Sequence, residues 1–344
     1  MEKMKPFFSI VIPIYNASRY LDNCINSVLN QSFGNFELIL VDDCSDDDSY
    51  DICTSFAKID KRIILLKNIK NVGVSKSRNL GIKCSRGNYL GFIDADDWID
   101  INLLEHIYKE LQSEEVECLK FGATEEYFDN DGNIKSIVRC IPKATVCGDL
   151  KSIQDEQVVL FNQFLFGYLW NTFYKTSVIK NYKLYLNENI KVNEDFDFNM
   201  RCFKYIRLLK VISICGYHYA KREGNSLSSQ KSNYSYDVHM KKIIAFLNVL
   251  EDSDNLSQEN LEKIFWMYTR FVYASLENGE SFDYIKKQVL FQKFLEIDFR
   301  NVSNKQRIMI TVLKTKNKVL IMLFLRVISL VKSATPNLFA RIKR

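Results

Sequence analysis

The sequence predicts an α/β protein in which a mainly parallel mixed sheet is flanked by helices and followed by a helical C-terminal region. Short apolar, β-branched runs alternate with segments of helical length from Phe8 to about Glu126, the pattern of βαβ units. Acidic residues cluster where several of those runs stop. From Tyr236 onward a helical period replaces the alternation. The bulk composition agrees: 344 residues with 47% hydrophobic and 26% charged content describe a globular chain, and only 12 Gly and 4 Pro exclude collagen-like and Gly/Pro-rich classes.

The elements follow in order. Phe8–Ile14 reads as a strand, and Leu21, Ile25, Val28 and Leu29 give Arg19–Asn30 helical spacing. Phe36–Val41 is a second strand, ended by Asp42 and Asp43. Ser45 followed by Asp46, Asp47 and Asp48 reads as an N-cap with acids in the first turn. Ile63–Leu66 is a third strand and Val74–Lys83 a helix. Tyr89–Ile93 is a fourth strand, ended by Asp94, Ala95, Asp96 and Asp97. Ile101–Ser113 is a helix and Cys118–Glu126 a further strand. The aromatic-rich stretch from about Asn130 to Tyr219 reads as irregular. Val238–Leu250, Gln258–Leu276, Phe282–Phe294 and Lys305–Lys332 are helical, with a break near Lys231 as the boundary.

Nine scattered cysteines, never spaced CxxC, argue against a zinc ribbon, a thioredoxin-type motif and a secreted disulfide scaffold. No secretory signal and no spanning run is expected, so the chain reads as cytoplasmic. The net charge of +5 hides an asymmetry: Arg300 to Arg344 holds eleven basic residues and no acid, which leaves −6 on the remainder.

In parallel sheets, ligands bind outside the carboxyl ends of the strands, where Tyr15-Asn16, Asp42-Asp43 and Asp94 to Asp97 fall. Three carboxylates within four residues are costly unless a positive group neutralises them. A hard divalent cation does so while also taking phosphate oxygens. The alternative is that Asp94 and Asp97 cap the next helix in water.

The stretches SIVIPIYNASRYLDNCINSVLNQSFGNFELILVDDCSDDDS, NVGVSKSRNLGI and GNYLGFIDADDW resemble the family-2 glycosyltransferases in detail from about Phe8 to Leu104. The resemblance continues through WNTFY (Trp170–Tyr174), NEDFDF (Asn193–Phe198) and YHYAKREGNSLS (Tyr217–Ser228). It implies the Rossmann-like GT-A fold and an inverting, metal-dependent enzyme. That enzyme would move a hexosyl or N-acetylhexosaminyl group from a UDP-sugar to a hydroxyl of a glycan acceptor, with Mn²⁺ or Mg²⁺ as cofactor. The implied layout is a GT-A domain over 1–230, with a nucleotide-binding half at about 7–104 and an acceptor half at about 118–230, then a helical region with a basic amphipathic tail over 231–344.

By the family pattern, Pro13, Tyr15, Asn16 and Asp43 surround the nucleotide base. Tyr15 would stack on uracil, core packing being its alternative, and Asp43 would accept the uracil N3–H, as an acceptor-only carboxylate can. Cytosine lacks that proton, so a uridine nucleotide follows. Asp42 is expected to support the turn. Asn71, Gly73, Arg78 and Asn79 match an N-x-G-x-x-x-x-R-N segment; Arg78 then pairs with the diphosphate or holds the acidic cluster. Asp94 and Asp96 match the DxD motif, with Asp96 the direct metal ligand, Asp94 a ribose contact or a support behind the metal, and Asp97 the competing ligand.

Glu194 and Asp195 match the family's acidic pair in the acceptor half, with Asp195 as general base. One base and one metal suffice for inversion, where a glycosidase needs two opposed carboxylates. His218 completes the metal site in some relatives, and ordinary packing is its alternative. The family often has Arg where Ala220 stands, a departure in this region. Arg222 and Ser226 match a loop near the phosphates. Trp170 floors the acceptor site or packs in the core.

The apolar clusters and basic residues of Lys305–Lys332 suit a helix lying on an anionic membrane surface. Packing on the body, or in a homodimer, is the alternative, and no nucleic acid partner is expected. A lipid-linked oligosaccharide acceptor at the inner face of the cell membrane, in bacterial surface-polysaccharide synthesis, would explain such a tail. Two competitors remain. A sugar nucleotidyltransferase would need a Gly-rich triphosphate loop, absent after Ile14, and a non-catalytic sugar-binding scaffold would not need Asp96 and Asp195.

Overall fold

The computed structural model describes residues 5–112, 115–129, 131–222 and 235–334, with side chains to Leu330. The chain forms two compact units that are not consecutive in sequence. The first takes Met1–Tyr127, Arg139–Ile153 and Leu165–Lys221; the second takes Phe128–Val138, Gln154–Phe164 and Arg222–Arg344. In chain order the elements begin β1 (Phe8–Ile14), α1 (Ser18–Leu29), β2 (Phe36–Asp42), α2 (Ser49–Ile59), β3 (Ile63–Lys67), α3 (Val74–Cys84), β4 (Tyr89–Phe92), β5 (Trp98–Ile99), α4 (Leu103–Gln112), β6 (Cys118–Lys120) and β7 (Ala123–Phe128). There follow β8 (Ile134–Cys140), β9 (Thr145–Cys147), α5 (Leu150–Asn162), β10 (Thr172–Lys175), α6 (Thr176–Asn181), α7 (Glu194–Cys202), β11 (Leu209–Val211) and β12 (Tyr217–Arg222).

The main sheet of the first unit has the strand order β3-β2-β1-β4-β10-β6-β11-β9. Strands β3, β2, β1 and β4 are parallel, in the registers Ile14 to Asp42 and Val11 to Phe92, and β10 then runs antiparallel to β4. All seven residues of β2 are buried, and six of the seven in β1, as helices on both faces of a parallel sheet require. The chain steps outward from β1 through β2 to β3, then returns to the other side of β1 with β4. That reversal opens a crevice at the carboxyl ends of β1 and β4. Gly91 of β4 permits the close approach of β10, since a methyl group there would lie 2.7 Å from the Phe173 ring. A smaller sheet places β12 between β5 and β7.

Several expectations are corrected. Ser45 is not an N-cap; the helix starts at Ser49, and Ser45 instead donates its N–H to Asp42. The predicted strand Cys118–Glu126 is two strands in two sheets, broken at Phe121 and Gly122, where the Gly122 N–H turns to the Ile214 carbonyl. The stretch read as irregular holds β8 to β12 and α5 to α7.

The second unit holds α8 (Tyr236–Asp252), α9 (Gln258–Glu277), α10 (Phe282–Ile285), α11 (Val289–Glu296), α12 (Asn304–Lys314) and α13 (Lys318–Ala334). Ser235, Ser257 and Ser303 each accept a backbone N–H as N-caps of α8, α9 and α12. The helical run predicted over Lys305–Lys332 is two helices. Lys316 turns left-handed (φ 56°), and the Asn317 side chain accepts the N–H groups of Val319 and Leu320 to start α13. The run Phe282–Phe294 likewise divides into α10 and α11. Among the described residues no helix is long and apolar enough to cross a membrane.

Candidate active site

The crevice is built from three strand ends. After β1 the chain turns at Asn16 in the left-handed region (φ 49°). Asn16 donates its N–H to Ser45 Oγ at 3.1 Å and accepts the Asp46 N–H on Oδ1 at 2.8 Å, which ties the β1 loop to the β2 loop. Tyr15 is 48% exposed, so its ring is not core packing; Pro13 is half-buried and Asn71 exposed.

After β2, Asp42 is buried and supports the turn through the Ser45 N–H, as expected. Asp43 is also buried, and its carboxylate accepts three donors: Asn68 Nδ2 at 2.7 Å, the Val72 N–H at 3.0 Å and the Gly73 N–H at 2.8 Å. Gly73, at φ +91°, is where a side chain would be strained. Asp43 thus fixes the entry to α3. Its remaining acceptor capacity lies on Oδ2, which holds one of the three donors.

The centre is Arg78 of α3, which is 4% exposed. Its Nη2 donates to Asp94 Oδ1 at 2.8 Å, beyond the end of β4. Its Nη1 donates to Asp195 Oδ1 at 2.7 Å and to Glu194 Oε1 at 3.2 Å. Both of those acids lie in the first turn of α7, where the left-handed Asn193 (φ 65°) brings the chain in. Burial opposes the Arg78 charge, but Asp195, Asp94 and Glu194 outweigh it and raise its pKa. Burial likewise pushes the Asp195 carboxyl up to about 8; Arg78 pulls it down while Glu194 and Asp94 push it further up. Ionised, three carboxylates against one guanidinium leave an excess of two negative charges. The site is therefore electrostatically incomplete without a cation or a proton.

Asp96 is half-buried in the loop after β4. Asp97 is buried, accepting the Tyr217 hydroxyl at 2.7 Å and the Ala220 N–H at 2.8 Å, and burial holds its pKa well above the usual carboxylate range. The Tyr217 oxygen in turn accepts the Asp94 N–H at 3.1 Å, which links β12 to the acidic loop. His218 stacks on Trp98 at 5.2 Å between ring centroids, with Nδ1 2.6 Å from Glu126 and Nε2 3.0 Å from Asp100. Among the described residues no group of three His, Cys, Asp or Glu side chains is arranged to hold a metal alone. Trp170 is buried in the core, stacked on Tyr168 and Tyr217 at 4.6 Å each. The Arg222 guanidinium lies 5.2 Å from the Phe128 ring centre. Ser226 lies outside the described residues.

Sequence reasoning missed Lys120, which is completely buried. Its Nζ donates to the Leu165 and Tyr168 carbonyls at 3.3 and 3.5 Å, to Asn171 Oδ1 at 3.2 Å and to Thr172 Oγ1 at 2.6 Å. Asn199 Nδ2 donates to the Phe166 and Tyr168 carbonyls from α7. This cage pins the segment whose Leu169 backbone bonds to Asp195. Burial lowers the Lys120 pKa to about 8. A lysine inside the apolar run Cys118-Leu119-Lys120-Phe121 was the available signal.

Replacing Arg78 by Met removes the counter-charge and leaves the carboxylates crowded. The variant should lose about 3–5 kcal/mol of stability at neutral pH, the scale of breaking a buried ion pair. Acidification should narrow that loss, because protonated carboxyls need no cation. Urea unfolding at two pH values reads both, and a loss below about 1 kcal/mol would make Arg78 a surface-like pair.

The profile of Glycosyl transferase family 2 matches residues 9–183. The chain is 29% identical over 252 residues to the uncharacterized glycosyltransferase EpsJ of Bacillus subtilis, covering 71% of each chain. It is 32% identical over 260 residues to the minor teichoic acid biosynthesis protein GgaA of the same organism, covering 72% of this chain and 55% of GgaA. The crystal structure of Staphylococcus aureus TarS 1-349 in complex with UDP-GlcNAc superposes with a TM-score of 0.55 at 22% identity, over 78% of this chain and 81% of that one. The fold is therefore GT-A, with a helical C-terminal region. Strand order, the acidic strand ends and the match over half the chain lead to one conclusion: this protein belongs to glycosyl transferase family 2.

Proposed function

We propose that the enzyme transfers a hexosyl or N-acetylhexosaminyl group from a UDP-sugar to a hydroxyl of a glycan acceptor, with inversion. The observation that carries this is the Arg78 bridge, which joins Asp94 at the donor strand end to Asp195 at the start of α7. A donor-side acid and a candidate base are thereby held on one rigid group. Asp195 would take the proton of the attacking hydroxyl. Its raised pKa suits a base working near neutrality. Glu194, on the same guanidinium, would hold Arg78 and Asp195 in place.

On the donor side, the exposed Tyr15 ring would stack on uracil, with Pro13, Asn16 and Asn71 around the nucleotide. The spare acceptor site of Asp43 would take the uracil N3–H. Mn²⁺ or Mg²⁺ fits the excess of negative charge around Arg78. Asp96 would be its protein ligand, as the DxD match implies, with Asp97 or His218 the competing ligands. Bound together with the donor diphosphate, such a cation would stabilise the departing UDP. Arg222 and Ser226, by the family positions they match, would contact the donor phosphates.

Staphylococcus aureus TarS 1-349 has been crystallised in complex with UDP-GlcNAc and with UDP, so UDP-GlcNAc is the first donor to try. GgaA is named for teichoic acid biosynthesis, in keeping with bacterial surface-polysaccharide assembly. A lipid-linked acceptor at the cytoplasmic face of the membrane, with peripheral attachment through the C-terminal region, completes the proposal; a homodimer is the alternative use of that region.

Asp195→Asn keeps size but cannot accept a proton. Transfer should fall about a hundredfold or more, with UDP-sugar affinity near wild type. Since Asp195 is protonated below about 8, the wild-type rate should climb with pH, about tenfold per unit, and level above that value. A rate independent of pH between about 6 and 9 would remove Asp195 from the base role.

Metal use is tested separately. Chelator should abolish turnover and Mn²⁺ or Mg²⁺ restore it. Asp96→Asn should lower turnover at least about a hundredfold, as losing charge stabilisation at a leaving group does. Full activity in chelator would contradict the assignment.

A further inference from the structure

Helix α13 carries two apolar faces, and the second unit uses one of them. Ile321 and Leu325 are buried, and the Phe324 ring lies 5.7 Å from Tyr273 of α9. The other face is a single exposed stripe. Val319, Met322, Leu323, Val327 and Leu330 follow i, i+3, i+4, i+8 and i+11 spacing and are 41–68% exposed. A contiguous apolar stripe left in water marks an interaction surface. Arg326 stands within it, also exposed, at the i+7 position. Lys316 and Lys318 are exposed at its start, Lys318 having Asp283 at 3.4 Å. The sequence beyond Leu330 adds Lys332, Arg341, Lys343 and Arg344, and no acid occurs from Arg300 onward.

We propose that this outward face of α13 docks on an anionic lipid bilayer. Val319, Met322, Leu323, Val327 and Leu330 enter the boundary between headgroups and acyl chains, and Arg326 and the flanking lysines meet lipid phosphates. The proposal narrows the membrane attachment suggested above to one face of one helix, and it rests on that attachment rather than on the transfer chemistry. Charge complementarity selects the occupant. The helix is too short and too charged to span. A second copy would bring Arg326 and the lysines flanking the stripe against their own like charges across a two-fold axis, with no acid on either helix to pair. The packed face explains how α13 stays attached to the protein while the outer face remains available.

The test is co-sedimentation of the full chain with phosphatidylcholine vesicles, with and without phosphatidylglycerol, at low and high salt. The wild type should bind phosphatidylglycerol vesicles at least about tenfold more tightly than neutral ones, and salt should release it. Leu323→Glu and, independently, Val327→Glu lie on the exposed face, so melting temperature and UDP-sugar hydrolysis should match the wild type. Each should weaken vesicle binding at least about tenfold. Arg326→Glu should lose the preference for anionic over neutral lipid. Indifference of the wild type to phosphatidylglycerol would overturn the proposal, as would stripe variants that bind like wild type. So would a lipid-free dimer that Leu323→Glu converts to monomer, which would make a second copy the occupant. Because UDP-sugar hydrolysis is read in the same samples, failure of the catalytic reading shows as lost turnover with vesicle binding intact.

Discussion

Arg78 cannot shed its charge by losing a proton, yet it is buried between Asp94, Glu194 and Asp195. An uncompensated charge in that position would cost several kcal/mol, so the surrounding chain has to deliver three carboxylates to one guanidinium. Asp94 arrives because β4 returns beside β1 and ends there. Glu194 and Asp195 arrive because α7 begins at a left-handed Asn193. Arg78 itself is aimed by α3, whose entry is held by the three donors on Asp43. Much of the first unit can be read as the support this contact requires.

The same contact sets the chemistry. One guanidinium does not neutralise three carboxylates, so the site retains an affinity for positive charge. In the proposed reaction, a divalent cation escorting a diphosphate would answer that need on the donor side, and a proton taken from an acceptor hydroxyl would answer it at Asp195. Lys120 contributes from beneath, fixing the segment whose backbone meets Asp195 without entering the crevice. The exposed face of α13 belongs to the other unit.

The strands of the parallel half were legible because each is a continuous apolar run bounded by turn residues, and the acidic strand ends followed from them. The remaining sheet was legible only in part: β6 and β7 read as one strand, and β9 and β11 have three residues each, too few for any period to register. Asp94, Asp96 and Asp195 could be picked out by motif, but the pairing of Arg78 with acids 116 and 117 residues away could not. Asp43 illustrates a related limit: the family pattern implies a contact with the base, whereas its three internal donors depend on how 68–73 folds back. The break between α12 and α13 depends on one left-handed lysine, a conformation that sequence rarely announces.

The central claim is that Asp94 and Asp195 act as one unit through Arg78. A double-mutant cycle of Asp94→Asn and Asp195→Asn, read as unfolding free energy, tests it most directly. Because both carboxylates share one guanidinium, the two losses should deviate from additivity by about 0.5–3 kcal/mol, and the deviation should change when replacing Arg78 by Met leaves only the direct repulsion between the two carboxylates. Additivity to within about 0.5 kcal/mol with Arg78 in place would contradict the claim.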